Sequence, residues 1–199
     1  MPIRIVGTRY TPEQYLALER LAEERSKYVE GDIFPMPGAS RAHNLIGGNI
    51  FRVVSTQLED RPCEVYINDM RVAVDQTRLF TYPDVVVVCG EPDFFDGEMD
   101  TLLNPTLLVK VLSPSPYGYE GGGTFGRECR LESLKEFLVV AQEEIRVECH
   151  SRRGERWIKT RFTGLEDVVR LESIDCQISM RQIYAKTKIL AELERGNGG

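Results

Sequence analysis

Two short apolar segments, each carrying one ionisable residue, constrain this chain more than any other feature. Residues 82–88 read YPDVVVV and residues 107–112 read LLVKVL, so Asp84 and Lys110 each lie in or against an almost continuous apolar run. Runs of this length and composition predict β-strands that are covered on both faces. An unpaired charge in such a strand is costly, so each residue needs a compensating partner.

Strand geometry indicates what that partner is. Because side chains alternate between the two faces of a strand, Asp84 shares a face with Val86, and Lys110 shares a face with Leu108. Taken singly, Asp84 is better explained as a residue that caps a strand start, and Lys110 as a charge that protects an edge strand. Taken together, on neighbouring strands, they predict an ion pair and a functional site, because each offsets the burial of the other.

The alternation of helix and strand patterns predicts a single α/β domain over residues 1–199, with 196–199 as a frayed tail. Helices are predicted at 12–26 and about 41–59, with a hairpin between them that turns at Glu30 and Gly31. The predicted strands lie at 63–67, 70–74, 85–89, 107–112, 137–140, 145–150, 156–162 and 168–171. Those at 70–74, 85–89, 107–112 and 137–140 are expected to share one mixed sheet, on which both helices pack. A surface loop is predicted at 91–105, a short helix near 132–134 and a last helix at 181–194.

The two N-terminal helices carry patterns that predict which side chains are buried. In the first helix the apolar stripe comprises Tyr15, Leu18, Leu21 and Ala22. In the second helix it comprises Ile46, Ile50, Val53, Val54 and Leu58. Gly47 and Gly48 lower the helix propensity of the second segment, and we interpret them as positions of close packing against the sheet.

Composition and charge bound the functional class. The chain has 25 basic and 31 acidic residues, a formal charge of −6, which counts against a dedicated binder of duplex DNA. Its five cysteines are scattered without zinc-binding spacing, so we expect free thiols, Cys89 among them, and a reducing compartment. No apolar run approaches the length of a membrane span, and residues 1–6 are too few for a signal peptide. These features predict a cytoplasmic protein without membrane association.

Segments along most of the chain resemble a known family. They are YVEGDI at 28–33, MPG at 36–38, His43, DMRV at 69–72, YPDVVV at 82–87, VLSPS at 111–115 and SLKEF at 133–137. In this order and spacing they resemble the "putative restriction endonuclease" family of the PD-(D/E)XK nuclease superfamily. The resemblance covers about residues 15–183. It implies a restriction-endonuclease-like core, a mixed β-sheet flanked by helices, with the active site at the ends of two central strands.

The resemblance also implies Mg²⁺-dependent hydrolysis of DNA, with Asp84 as a metal ligand. Magnesium prefers hard oxygen ligands, commonly one or two carboxylates with waters and substrate phosphate. The family places a second acid at position 110, where this chain has Lys110. It places a lysine at 112 or near 124, where this chain has Leu112 and Thr124, and a further acid where this chain has Lys27. One carboxylate facing a lysine predicts a poor magnesium site.

Other residues are candidates for completing the site. Asp69 is a second candidate metal ligand, and Glu120 lies where the family often has an aspartate. His43 lies on the inward side of the second helix, where a site residue and a structural histidine at a helix start are equally consistent with the sequence. The glycines at 121–123 lack the residues of a phosphate loop and are interpreted as a flexible loop. Ser113 and Ser115 have no histidine partner that would indicate a serine hydrolase.

Two functions follow from these residues. The first is a metal-dependent endonuclease that uses Asp84, Lys110, His43 and Glu120, with Mg²⁺ as cofactor. The second is a nuclease-fold protein that has lost catalysis and serves as a binding or assembly module, with no cofactor bound. Lys110, Thr124 and Lys27, together with the negative charge, favour loss of activity. DNA is the partner that the resemblance implies, and a homodimer is compatible with it.

Overall fold

The computed structural model describes residues 9–36, 38–75, 78–112 and 125–196. The helices are α1 (Pro12–Glu19), α2 (Arg41–Leu58), α3 (Phe125–Glu128), α4 (Met180–Ile183) and α5 (Lys188–Gly196). The strands are β1 (Ser26–Val29), β2 (Asp32–Pro35), β3 (Cys63–Ile67), β4 (Arg71–Asp75), β5 (Leu79–Thr81), β6 (Val85–Cys89), β7 (Thr101–Leu102), β8 (Leu107–Val111), β9 (Glu136–Val140), β10 (Val147–Arg153), β11 (Arg156–Phe162), β12 (Val168–Leu171) and β13 (Cys176–Ser179).

The strands form three sheets. A six-stranded sheet has the order β11-β10-β9-β8-β6-β3, a five-stranded sheet has the order β2-β1-β5-β4-β7, and β12 pairs with β13. The β8–β9 and β4–β7 pairs are parallel, so both larger sheets are mixed. The prediction that 85–89 and 107–112 are neighbours is confirmed, because β6 pairs antiparallel with β8. The prediction that 70–74 joins them in one sheet is wrong, because β4 lies in the five-stranded sheet.

The six-stranded sheet is covered on both faces. One face carries Val85, Val87 and Val109 and packs against α2 through side chains such as Ile46 and Ile50. The opposite face carries Val86 and Leu108 and packs against the five-stranded sheet through side chains such as Val72. The four valines at 85–88 are at most 1% exposed, as continuous apolar runs predict. Helix α1 packs on the five-stranded sheet.

Helix α2 has the predicted bounds and the predicted buried stripe. Helix α1 is shorter than the predicted 12–26, because the chain leaves the helix after Glu19 and enters β1 at Ser26. Its capping box, formed by Thr11 and Gln14, is present as predicted. Its buried face is different from the predicted stripe, since Leu18 is 49% and Leu21 is 86% exposed. The buried positions are Tyr15, Leu16 and Glu19.

Several smaller predictions are confirmed or corrected. The hairpin turns where predicted, and Glu30 and Gly31 have the positive φ angles, 51° and 97°, of a tight two-residue turn. The segment predicted as a loop at 91–105 contains β7. The short helix lies at Phe125–Glu128 and not near 132–134, and the predicted last helix is divided into α4 and α5 around Lys186, whose φ is 63°.

Cys63 and Cys89 form a disulfide between β3 and β6, with the two Cα atoms 4.0 Å apart. The expectation that Cys89 is a free thiol is therefore wrong. Cys129, Cys149 and Cys176 are free. In the described part of the chain, no helix has the length and apolar content needed to cross a membrane.

Candidate active site

Asp84 is held at the start of β6 by backbone hydrogen bonds on both sides. Its N–H donates to the carbonyl of Val109 on β8 at 2.9 Å, and its carbonyl accepts from the N–H of Asn68 at 3.0 Å. The residue is 6% exposed. Pro83 precedes it and has no N–H to donate, which suits a position just outside a strand. The backbone thus fixes the carboxylate against the end of β8.

Both carboxylate oxygens of Asp84 have contacts. The N–H of Val111 donates to Oδ2 at 2.7 Å, and Lys110 Nζ lies 3.4 Å from the same oxygen. His43 Nε2 lies 3.3 Å from Oδ1. Strand geometry predicts the ion pair with Lys110, and the structure contains it. The carboxylate is therefore surrounded by a backbone donor, an ammonium and an imidazole.

Lys110 is the only one of these groups that reaches toward solvent. Its side chain is 26% exposed, compared with 8% for Asp84 and 10% for His43. The ammonium also donates to the backbone carbonyl of Tyr82 at 3.3 Å. These two contacts place the positive charge directly beside the carboxylate, at the mouth of the site.

His43 reaches the site from the first turn of α2. Ser40 caps this helix and its hydroxyl accepts from the N–H of His43 at 3.1 Å. Burial lowers the pKa of the imidazole, and the positive charge of Lys110 acts in the same direction. The charge of Asp84 and a hydrogen bond with the backbone of Val111 oppose that shift. With its pKa lowered, the imidazole is neutral at neutral pH and does not add a second positive charge.

The remaining candidates are not brought to Asp84. The side chain of Asp69 is 82% exposed and forms an ion pair with Arg25 at 2.9 Å, on the surface. Glu120, Thr124, Ser113, Ser115 and the glycines at 121–123 lie outside the described residues. Leu112 is described, and its N–H donates to the carbonyl of Val140 at 2.8 Å, as part of the sheet.

Glu128 was not anticipated as a site residue. It lies on α3, is 5% exposed, and its Oε2 atom has no hydrogen-bond partner among the described residues. Burial raises its pKa to about 7, and the positive charges of Lys110, Arg127 and Lys27 oppose that rise. The sequence around it, GRECRLE, has no periodic apolar pattern, so nothing in it indicates that this glutamate is buried.

Lys27 on β1 belongs to the same group of charges. Its pKa is lowered, first by desolvation and then by the positive charges of Lys110 and Arg127, with Glu128 acting in the opposite direction. The sequence identified Lys27 through its alignment with a family acid, and the structure places it within electrostatic range of Lys110. Two lysines therefore meet where the resemblance implies carboxylates.

A buried polar network supports the segment that carries Asp84. The hydroxyl of Tyr82 donates to Glu19 Oε1 at 3.0 Å and accepts from Arg71 Nε at 2.9 Å. The pKa of Tyr82 is raised to about 12, chiefly by burial. Glu19 also accepts from the N–H of Ser26 at 2.8 Å. Since the carbonyl of Tyr82 accepts from Lys110, this network fixes one of the two contacts of the ammonium.

A family model for Uma2, described as "Putative restriction endonuclease", matches residues 12–181, most of the chain. The chain belongs to the Uma2 family. The resemblance recognised in the sequence is thereby confirmed. The match spans every described residue of the site, including Lys27, His43, Asp84, Lys110 and Glu128.

Relatives of this Uma2 chain include two proteins of Synechocystis sp. named as uncharacterized. One, sll1609, is 35% identical over 155 residues, which covers 77% of this chain and 88% of the relative. The other, slr1290, is 28% identical over 177 residues, which covers 88% and 92%. A crystal structure of "a putative nuclease belonging to DUF820" from Anabaena variabilis has a TM-score of 0.72 at 18% identity. It covers 88% of this chain and 98% of that one, so it shows a shared fold.

The residues present do not fit the magnesium ion that the family implies. Mg²⁺ requires octahedral coordination by oxygen ligands, which it shares with waters and substrate. Asp84 Oδ2 already accepts from the backbone N–H of Val111, and the ammonium of Lys110 lies beside it. Over residues 9–36, 38–75, 78–112 and 125–196, no group of three His, Cys, Asp or Glu side chains could hold a metal ion.

Proposed function

We propose that this Uma2-family chain is a nuclease-fold protein that contacts nucleic-acid backbone but has lost Mg²⁺-dependent hydrolysis. One observation carries the proposal: the ammonium of Lys110 lies 3.4 Å from Asp84 Oδ2, where a metal ion would have to bind. Support for nucleic acid comes from the family description, from the nuclease title of the Anabaena protein, and from the cationic side chains around Asp84.

The chemistry of phosphodiester hydrolysis explains why this replacement matters. A bound metal generates the attacking hydroxide and stabilises the leaving oxygen. An ammonium supplies a single positive charge and hydrogen bonds, but it has no open coordination position at which a water could be activated. Lys110 can therefore hold a phosphate oxygen in place, whereas it cannot perform the role of the metal. The site retains the means to bind and lacks the means to cleave.

A metal-dependent endonuclease is the second candidate, and one observation favours it. Glu128 is a buried carboxyl with an unpartnered oxygen, within electrostatic range of Lys110. A movement of Lys110 away from Asp84 would leave two carboxyl groups available to a metal. The two candidates differ in one measurable property, the affinity of the resting protein for divalent cations.

Calorimetric titration with Mg²⁺ and Mn²⁺ tests the proposal. We expect the wild-type protein to bind no more tightly than roughly millimolar, because Asp84 has no second carboxylate at position 110. Plasmid and single-stranded DNA should remain uncut in either metal. Asp69→Ala serves as the matched control, since it removes a carboxylate outside the site. A micromolar site that disappears in Asp84→Ala and persists in Asp69→Ala would establish the endonuclease instead.

Lys110→Glu provides a converse experiment. It removes the ammonium and places a second carboxylate opposite Asp84, so the two acids should repel each other without metal. We expect this variant to unfold at a lower temperature than wild type in a chelator, and to recover when Mg²⁺ or Mn²⁺ is added. If added metal leaves its melting temperature unchanged, Lys110 does not occupy a metal position.

A further inference from the structure

Three cationic side chains from three separate elements converge beside Asp84. Lys27 comes from β1 of the five-stranded sheet, Lys110 from β8 of the six-stranded sheet, and Arg127 from α3. They are close enough to perturb one another, since the charges of Lys110 and Arg127 lower the pKa of Lys27. Lys110 forms an ion pair with Asp84. In the described parts of the chain, neither Lys27 nor Arg127 forms an ion pair with a carboxylate.

Clustered like charges raise the free energy of the folded protein unless an anion compensates them. Glu128 is the internal group placed to do so. It is 5% exposed and adjacent in sequence to Arg127, and one of its carboxyl oxygens lacks a partner among the described residues. A buried polar atom without a partner is costly and unusual, and it marks a position where a bound group is expected to complete the contacts.

We propose that Lys27, Lys110 and Arg127 form a binding site for a phosphodiester oxyanion, and that the buried carboxyl of Glu128 competes with that anion for the same cations. This assignment rests on the proposed function, because it takes nucleic-acid backbone as the ligand. It adds the residues that hold the phosphate and the group that regulates their charge. Lys27 and Lys110 supply compact ammonium donors, and Arg127 supplies a planar guanidinium suited to two phosphate oxygens.

The charge of the site depends on the protonation of Glu128. With Glu128 neutral, three cations face the single carboxylate of Asp84; with Glu128 ionised, they face two carboxylates. His43, the other titratable group facing the site, has a lowered pKa and stays neutral near pH 7. Lys27 carries less charge as the pH rises, which acts in the same direction as Glu128. Phosphodiester binding should therefore weaken as the pH rises through the range in which Glu128 ionises.

Fluorescence anisotropy with a labelled oligothymidylate, measured between pH 6 and pH 8.5 in chelator at low salt, tests the site. A phosphodiester ligand keeps its charge over this range, so any pH dependence belongs to the protein. We expect Lys27→Ala to weaken binding roughly tenfold, the effect of losing one charge-assisted hydrogen bond. Lys135→Ala, which removes an exposed lysine elsewhere, should bind like wild type.

Glu128→Gln is the decisive variant, since the amide keeps the shape of the side chain and removes its ionisation. We expect this variant to bind more tightly than wild type at pH 8.5 and to lose most of the pH dependence. Glu132→Gln removes an exposed carboxylate four residues away and should retain the wild-type pH profile. Equal effects of Lys27→Ala and Lys135→Ala, or identical profiles for Glu128→Gln and wild type, would overturn the assignment.

Competition by sulfate separates this inference from the proposed function. Sulfate that displaces the oligonucleotide from wild type and not from Lys27→Ala supports an oxyanion site at these residues. Sulfate binding that requires Lys27, without any binding of oligonucleotide, would uphold the anion site and overturn its assignment to nucleic acid. Cleavage of the oligonucleotide in Mg²⁺ would contradict the proposed loss of hydrolysis, while the effects of Lys27→Ala on affinity would still stand.

Discussion

Asp84 and Lys110 are each stable in their positions because of the other. Asp84 is buried with an N–H of Val111 and an imidazole as its remaining contacts, neither of which carries a full positive charge. Removing the ammonium would leave the carboxylate with partial compensation only. Removing the carboxylate would leave Lys110 beside the carbonyl of Tyr82, in the neighbourhood of Lys27. The pair is therefore expected to behave as one energetic unit.

Lys110→Met tests this coupling. We expect a loss of roughly 3 kcal/mol in the free energy of unfolding, the lower end of the cost of leaving one member of a buried pair unpartnered. Asp84→Asn/Lys110→Met should recover much of that loss, since it removes both charges. Urea denaturation measures all three proteins, with Lys135→Met as the control for a surface lysine. A Lys110→Met variant as stable as wild type would show that the ammonium contributes nothing to Asp84.

Glu128 makes a prediction about pH and stability that needs no ligand. Its pKa is raised to about 7 in the folded protein, so between its ordinary pKa and that value the folded state binds more protons than the unfolded state. Stability should therefore fall as the pH rises through this window and level off above it. Glu128→Gln should match wild type near pH 5 and exceed it at pH 8, by up to about 3 kcal/mol.

Thermal melts of both proteins across this pH range measure that difference. Glu132→Gln is again the control, because an exposed carboxylate should show no such crossover. A constant difference between Glu128→Gln and wild type from pH 5 to pH 8 would contradict a raised pKa for Glu128.

Individual residues differ in how far the sequence reveals them. Asp84 and Lys110 are found because a charge in an apolar strand is conspicuous without any knowledge of the fold. Glu128 and Glu19 are buried by contacts with distant elements, so their local sequence resembles that of any surface helix. Glu19 even lies off the predicted stripe of α1, yet it is 8% exposed and accepts from Tyr82. Polar burial of this kind depends on tertiary structure alone.

At the scale of elements, the two glycines of α2 have a different explanation from the predicted one. A Cβ atom added to Gly47 or Gly48 would meet no atom within 4 Å outside its own neighbourhood, so close packing does not require either glycine. We expect Gly47→Ala and Gly48→Ala each to raise the free energy of unfolding by up to about 1 kcal/mol, the difference in helix propensity. Urea denaturation measures the change, and a destabilised alanine variant would contradict it.

The helix and strand predictions succeeded where periodicity and burial agree. The stripe of α2 and the runs that form β6 and β8 are long, regular and fully buried, so local pattern and tertiary structure coincide. Helix α1 failed because Leu18 and Leu21 happen to repeat at helical spacing while lying on the exposed side. The division of the strands into two sheets was not predictable, because β4 and β6 are both apolar and the sequence does not specify pairing across sheets.

At the scale of the whole molecule, the disulfide connects an edge of the six-stranded sheet to its centre. Cys63 begins the edge strand β3, and Cys89 ends β6, whose first residue follows Asp84. The same edge strand leads into Asn68, which donates to the carbonyl of Asp84. The crosslink thus secures the strand that helps hold the site. It also contradicts the premise of free cysteines from which a reducing compartment was predicted.

Reduction of this crosslink should lower stability in proportion to the loop it closes. The two cysteines are 26 residues apart in the chain, and closing a loop of that size contributes roughly 3 kcal/mol by restricting the unfolded state. We expect dithiothreitol to reduce the unfolding free energy of wild type by about that amount. Cys63→Ser/Cys89→Ser should start at the lower value and ignore the reductant. Cys149→Ser, which removes a buried free thiol, should keep the wild-type response to reductant. Because β3 also positions Asp84, the reduced protein should lose oligonucleotide affinity along with stability, whereas loss of neither on reduction would show that the pairing of β3 with β6 is sufficient without the crosslink.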